Sequence, residues 1–209
     1  MMEQHNMDWS SESSQSDPKG DNNVKTLLTG AFESLSPLFL GVGEVLTTSE
    51  IRNKVLDAYK QAHAVGQRTG ITVSLVTILW VGKSLTLASV GVCKCYLVRD
   101  GRTAQINTDD YARLVTDKVS HTSSSMLSNV VGLGRIVTMQ DIHLIEFEIE
   151  PKDVLVLGSE SFNQNVPEEA ISTSTSAADI DEVCSFLARE AIARTHPSDP
   201  LALCVIQAA

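Results

Sequence analysis

The chain has 209 residues, 43% of them hydrophobic and 20% charged. That is enough for a core burying roughly 70% of the unfolded surface, and it excludes a wholly disordered or fibrous chain. Twenty-six acids against sixteen bases leave a net charge of −10; with no Lys/Arg cluster set against that field, a nucleic-acid or anionic-membrane partner is not expected.

Residues 1–23, rich in Ser, Asp, Asn and Gln with the single Trp9, cannot bury enough apolar area to offset their ordering entropy and are predicted to form a disordered tail. They have neither a basic start nor an apolar stretch, so no secretory signal is expected and a cytoplasmic location follows. Residues 24–209 are read as a single domain. Short β-branched or apolar runs at 38–42, 71–80, 84–91, 94–99, 103–107, 143–149, 153–158 and 201–207 predict strands. The longest of them is broken by Thr72, Ser74 and Thr77 and is far below the ~20 residues of a membrane span. Asp100-Gly101 between two runs predicts a tight hairpin. In 143–149, apolar Leu144, Phe147 and Ile149 are set against Glu146, Glu148 and Glu150, which predicts one wet face.

Helical spacing marks 49–65, with Ile51, Val55, Ala58, Tyr59 and Ala62 on one face, and 179–194, with Ile180, Val183, Cys184, Leu187, Ala188, Ala191 and Ile192. Ser176-x-x-Asp179 reads as a capping box before the second. Shorter helices are expected over 109–118 and after Pro167. Strand-rich text with covering helices predicts an α+β layered fold with a largely antiparallel sheet.

No linear nucleophile motif is present. His5, His63, His121, His143 and His196 are scattered and read as surface or satisfied residues, and the Gly41-Val42-Gly43 and Gly132-Leu133-Gly134 runs lack the spacing of a phosphate cradle. Cys93, Cys95, Cys184 and Cys204 lack metal-type spacing and read as buried thiols. What remains is acidic residues at strand ends, Glu44, Glu160 and Asp199, the kind of carboxylate set that binds Mg²⁺ or Mn²⁺.

Several phrases, in order, resemble the metal-dependent type 2C Ser/Thr protein phosphatases in their compact bacterial form, over roughly residues 38–207. Gly70-Ile71-Thr72-Val73 resembles the family's Gly-Thr-Thr strand. The run from Leu87 to Gly101 resembles its Ala-Asn-Val-Gly-Asp-Ser-Arg strand pair and Asp-Gly turn. Leu127-Ser128-Asn129-Val130-Val131-Gly132 is similar to Leu-Thr-Arg-Ala-Leu-Gly. The run from Ile149 to Glu160 resembles the Pro-Gly-Asp strand that ends in Ser-Asp-Gly, and Ser198–Ile206 the closing Asp-Asn strand. The resemblance implies a four-layer α-β-β-α sandwich of two antiparallel sheets.

The same alignment implies lost chemistry. The family's Gly-Asp-Ser-Arg aspartate falls at Val92. Its metal-binding Asp-Gly pairs fall at Glu44-Val45 and Glu160-Ser161, its final Asp-Asn falls at Asp199-Pro200, and no phosphate-gripping arginine stands between Asn23 and Pro37. Without metal ligands and a bidentate phosphate clamp, neither the nucleophile nor the phosphoryl charge is supported. The expectation is a pseudophosphatase: a protein-binding regulatory or scaffolding subunit, with a kinase or phosphoprotein complex as the kind of partner. No cofactor is expected beyond weak Mg²⁺ or Mn²⁺ at a vestigial Glu44, Glu160, Asp199 set. Partner contact is expected at Phe162, Val45 and Pro200 around the former cleft. The alternative is a divergent active Mn²⁺/Mg²⁺-dependent protein Ser/Thr phosphatase using those three acids.

Overall fold

The computed structural model describes residues 47–113, 125–134, 137–175, 179–196, 199 and 201–208. The expected tail and the run at 38–42 lie outside them. The first element, α1 (Thr48–Thr69), opens on a capping box in which the Thr47 side chain accepts from the Glu50 N–H and the Glu50 carboxylate accepts from the Thr47 N–H. It closes on Gly70 in the left-handed conformation. Strands β1 (Leu75–Val81), β2 (Ser84–Val90) and β7 (His143–Glu148) pair antiparallel in the order β1-β2-β7. A second antiparallel sheet takes the order β4-β3-β8-β9, from β3 (Lys94–Arg99), β4 (Arg102–Gln105), β8 (Val154–Gly158) and β9 (Leu203–Gln207). Between β3 and β4, Asp100 and Gly101 both take positive φ, the turn predicted from that dipeptide.

Period-two alternation in the central strands builds the layers. Leu85 and Leu87 of β2 meet Cys95 of β3 and Leu155 of β8 between the sheets, with Leu97, Ile145 and Phe147 against them. The opposite face of β2, Ala88 and Val90, packs under Val55, Ala58, Tyr59 and Ala62 of α1. The opposite faces of β3 and β8, Tyr96, Val98, Val154 and Val156, are covered by Phe162 of α2 (Glu160–Asn165), Ile171 of α3 (Glu168–Thr175) and Val183 and Leu187 of α4 (Ile180–Arg194). The result is the expected helix–sheet–sheet–helix sandwich. Tyr59 anchors the first layer, its buried hydroxyl donating to Ala88 O at 2.8 Å.

Three local expectations are corrected. Residues 111–113 are not helical: Tyr111–Arg113 is a strand, β5, paired with β6 (Ser125–Leu127), and the rest of the 109–118 span is outside the described residues. Helix α2 was not foreseen because six residues are too few to show a period. Asp179 is itself the N-cap of α4, accepting from the Asp181 N–H, so the capping box with Ser176 is not the device that starts it. All four cysteines are free thiols, as read from spacing, but only Cys95 is buried: Cys93 and Cys184 are half-buried and Cys204 is exposed. Among the described residues no helix is long and apolar enough to cross a membrane.

Candidate functional site

The turn between β2 and β3 organises one end of the sandwich. Gly91 has φ +98°, and a Cβ there would lie 2.3 Å from Ser74 Oγ, so the position needs glycine. Gly91 and Asp110 exchange bonds: the Gly91 N–H donates to Asp110 Oδ2 at 2.8 Å and the Asp110 N–H to Gly91 O at 3.0 Å. Asp110 Oδ1 lies 2.8 Å from His143 Nε2 at the start of β7. The Val92 N–H donates to Ser74 Oγ, and its side chain is buried, 3% exposed. Where the resemblance places a ligating aspartate there is a packed isopropyl group.

Glu160 opens α2 after the cap Ser159 and is half-buried. Its Oε1 accepts from Tyr111 Oη at 2.9 Å and from Gln164 Nε2 at 3.1 Å. Burial, then the bond to Glu160, pushes the Tyr111 phenol up to about 12, so it stays a donor at neutral pH. Half-buried Cys93 is pushed up to about 11, by burial first and by the Glu160 charge second, which makes it a poor nucleophile. Asn163 reaches back across the site end, its Nδ2 donating to Gly158 O at 3.1 Å, while its buried Oδ1 has no protein partner. Asp199 is exposed, its N–H donating to His196 O. Glu44, Val45 and Pro200 lie outside the described residues.

The expectation for Phe162 is overturned. Its side chain is fully buried in the outer core over β8, because Ser159 starts a helix that turns this residue inward. Gly158 makes room for the ring: a Cβ there would meet Phe162 Cδ1 at 2.2 Å. Phe162 is not part of a docking surface.

The metals implied by the fold family do not fit the described residues. The Val92 side chain carries no donor atom, and the Glu160 carboxylate is engaged by a phenol and an amide. Among the described residues no three His, Cys, Asp or Glu side chains are grouped for a metal ion.

The sequence reading missed the Asp110–His143 pair, whose members stand 33 positions apart. It also missed the role of His63. That residue is buried, 3% exposed, and its Nδ1 accepts the Gly132 N–H at 3.0 Å, while Nε2 has no protein partner. No linear motif carries either feature; only the β2–β7 register and the packing of α1 on residues 130–134 reveal them. Next to Asp110 lies a cavity of about 380 Å³, walled by Leu127, Val130, Leu133 and Val137 with Asp141 and His143 at its polar side.

No family model matches the chain, and no curated protein does. Solved structures do match. The S. agalactiae serine/threonine phosphatase is 17% identical over 92% of this chain and 83% of that one, with a TM-score of 0.73. PppA, a key regulatory component of T6SS in Pseudomonas aeruginosa, is 16% identical over 87% and 79%, TM-score 0.68. The Mycobacterium tuberculosis serine/threonine phosphatase PstP/Ppp is 19% identical over 89% and 82%, also at 0.68. The chain therefore has the type 2C, or PPM, phosphatase fold. The likeness extends over most of each partner's length.

Proposed function

We propose that this chain is a pseudophosphatase: a type 2C phosphatase fold without turnover, kept as a protein-binding regulatory or scaffolding subunit. The observation that carries it is Val92, buried and without a donor atom where the resemblance places an aspartate that serves an additional metal. The Glu160 carboxylate is hydrogen-bonded to Tyr111 and Gln164, and among the described residues no three His, Cys, Asp or Glu side chains are grouped for the metal pair that such turnover needs. The absence of an arginine from residues 24–36, where the resemblance places the phosphate grip, works in the same direction. A fold preserved without its chemistry retains surfaces that bind, and we assign that binding to another protein, not to nucleic acid, given the net charge of −10.

Turnover of p-nitrophenyl phosphate and of a phosphopeptide with millimolar Mn²⁺ is the test. The expected outcome is no release of phosphate above buffer. A kcat within tenfold of an ordinary enzyme's ~10 s⁻¹, abolished by Asp199→Ala, would establish the divergent-enzyme reading instead.

A further inference from the structure

We propose that His63 is an acid-sensitive latch: with a neutral ring it holds the segment 130–134 against α1, and on taking up a proton it lets that segment go. This goes beyond the inactive-site reading and does not depend on it.

Three contacts hold the segment to α1. His63 Nδ1 accepts the Gly132 N–H at 3.0 Å, and the Gln67 side chain donates to Gly134 O at 2.9 Å. At Gly66 a Cβ would lie 2.6 Å from Gly132 Cα, so the two backbones touch and the approach is available only to glycine. On its other side, Val131 and Val73 exchange N–H···O bonds, each of 3.0 Å. The segment walls the cavity beside Asp110, and its fully buried Val131 belongs to the core under α1. Of the α1 residues in these contacts, only His63 titrates.

The ring has no room for a second proton while the latch is closed. Because Nδ1 accepts from a backbone N–H, the proton of the neutral ring sits on Nε2. That N–H is already buried without a protein partner, in a side chain 3% exposed. A further proton goes only to Nδ1, where it would point one N–H at another. The ring would then lose its single hydrogen bond and hold a buried charge with two unpaired donors, which is costly.

The surroundings supply no acid to the ring. Residues 130–134 and 70–73 contain no ionisable side chain. On α1, Tyr59 lies one turn earlier, its phenol pushed up by burial and donating to Ala88 O, and the exposed Lys60 would only add a like charge. The strands beneath α1 present Leu75, Leu79, Ala88 and Val90. On β7, Glu146 is paired with Arg52, and His143 shares with Ile145 the face turned away from α1. Asp141 is held by the Thr138 N–H and hydroxyl. Among the described residues, no carboxylate hydrogen-bonds the His63 ring.

The sign of the effect follows. In the opened form a solvated imidazole takes up its proton near the ordinary value of about 6.5, whereas the closed form excludes it. Closure is therefore complete above that value and weakens as pH falls below it, by about tenfold for each further unit.

The test is amide hydrogen exchange of the full ¹⁵N-labelled chain at pH 7 and pH 5, with each rate expressed as protection relative to the intrinsic rate at that pH. Protection of the Gly132 N–H should fall roughly twentyfold between the two, while the amides of β3 and β8 hold within about twofold. In His63→Asn the side-chain Oδ1 replaces Nδ1 as acceptor but does not titrate, so the fall at Gly132 should shrink below about twofold. Unchanged protection at Gly132 in the wild type, an equal fall in His63→Asn, or a parallel fall in β3 and β8 would overturn the proposal. Should His63→Asn not fold, the ring ¹⁵N spectrum of the wild type at pH 7 decides: a bare Nδ1 with the proton on Nε2 supports the latch, and the reverse tautomer overturns it.

Discussion

The two ends of strand β3 were built from similar residue types and do different things. At its C-terminal end Arg99 donates to both oxygens of Asp153, at 2.9 and 2.6 Å, to Glu150 Oε1 at 2.7 Å and to Glu148 O at 2.9 Å. Asp153 there is 2% exposed and also takes the Glu150 N–H. Burial by itself would raise that carboxyl, but the hydrogen bonds from Arg99 and the Glu150 N–H outweigh it and hold Asp153 below the usual carboxylate range. At the N-terminal end, around Gly91, Val92, Asp110 and Glu160, some polar atoms are shared in pairs, Asn163 Oδ1 has no protein partner, and a cavity adjoins Asp110. One end closes the sandwich with a satisfied ion network. The other leaves a polar atom unshared and, among the described residues, groups no three His, Cys, Asp or Glu side chains.

The largest expected effect lies in the outer core of the site end. Phe162→Ala should cost about 4 kcal/mol of stability in urea unfolding, the range for a fully buried aromatic; a cost below ~1 kcal/mol would return Phe162 to the surface. Next, Gly132→Ala should cost about 3 kcal/mol, since Gly132 has φ +97° and a Cβ there would stand 2.1 Å from Ile71 O. If the melting curve of that variant is unchanged, the wall of the cavity is not clamped as described.

At the closed end, Asp153→Asn should cost about 2 kcal/mol near neutral pH, because it leaves a partly buried guanidinium short of its charge partner. The sign of the pH dependence follows from the lowered carboxyl. Its contribution is complete above the unfolded carboxyl's ordinary value of 3.8 and is lost as pH falls through the lower folded value. Wild-type stability should therefore decline more steeply in that acid window than that of Asp153→Asn, and parallel profiles would contradict it. The smallest effect concerns Cys93. A thiol raised from 9 to about 11 should be alkylated roughly a hundredfold more slowly than a free cysteine at pH 8. Glu160→Gln should recover only two- to threefold of that, since burial is the larger cause.

The layers were legible in the sequence because they rest on period. Leu85 and Leu87 against Ala88 and Val90, and the stripe Val55, Ala58, Tyr59, Ala62, declare their faces without a partner in view. The site was legible only in part. Val92 and Glu160 could be placed by phrase order, but whether Phe162 faced in or out depended on the helix that Ser159 caps, and six residues show no stripe. Asp110, His143 and His63 acquire their meaning from a turn, a strand register and a helix seated on a glycine loop. Long-range placement of this kind leaves no local pattern.

The central proposal is a phosphatase fold without a working metal set, and calorimetric titration of the full chain with Mn²⁺ tests it most directly. The account predicts no saturable binding with a Kd below about 1 mM, and traces indistinguishable from those of Glu160→Gln. One or two ions bound at micromolar Kd, and lost in Glu160→Gln or Asp199→Ala, would contradict it.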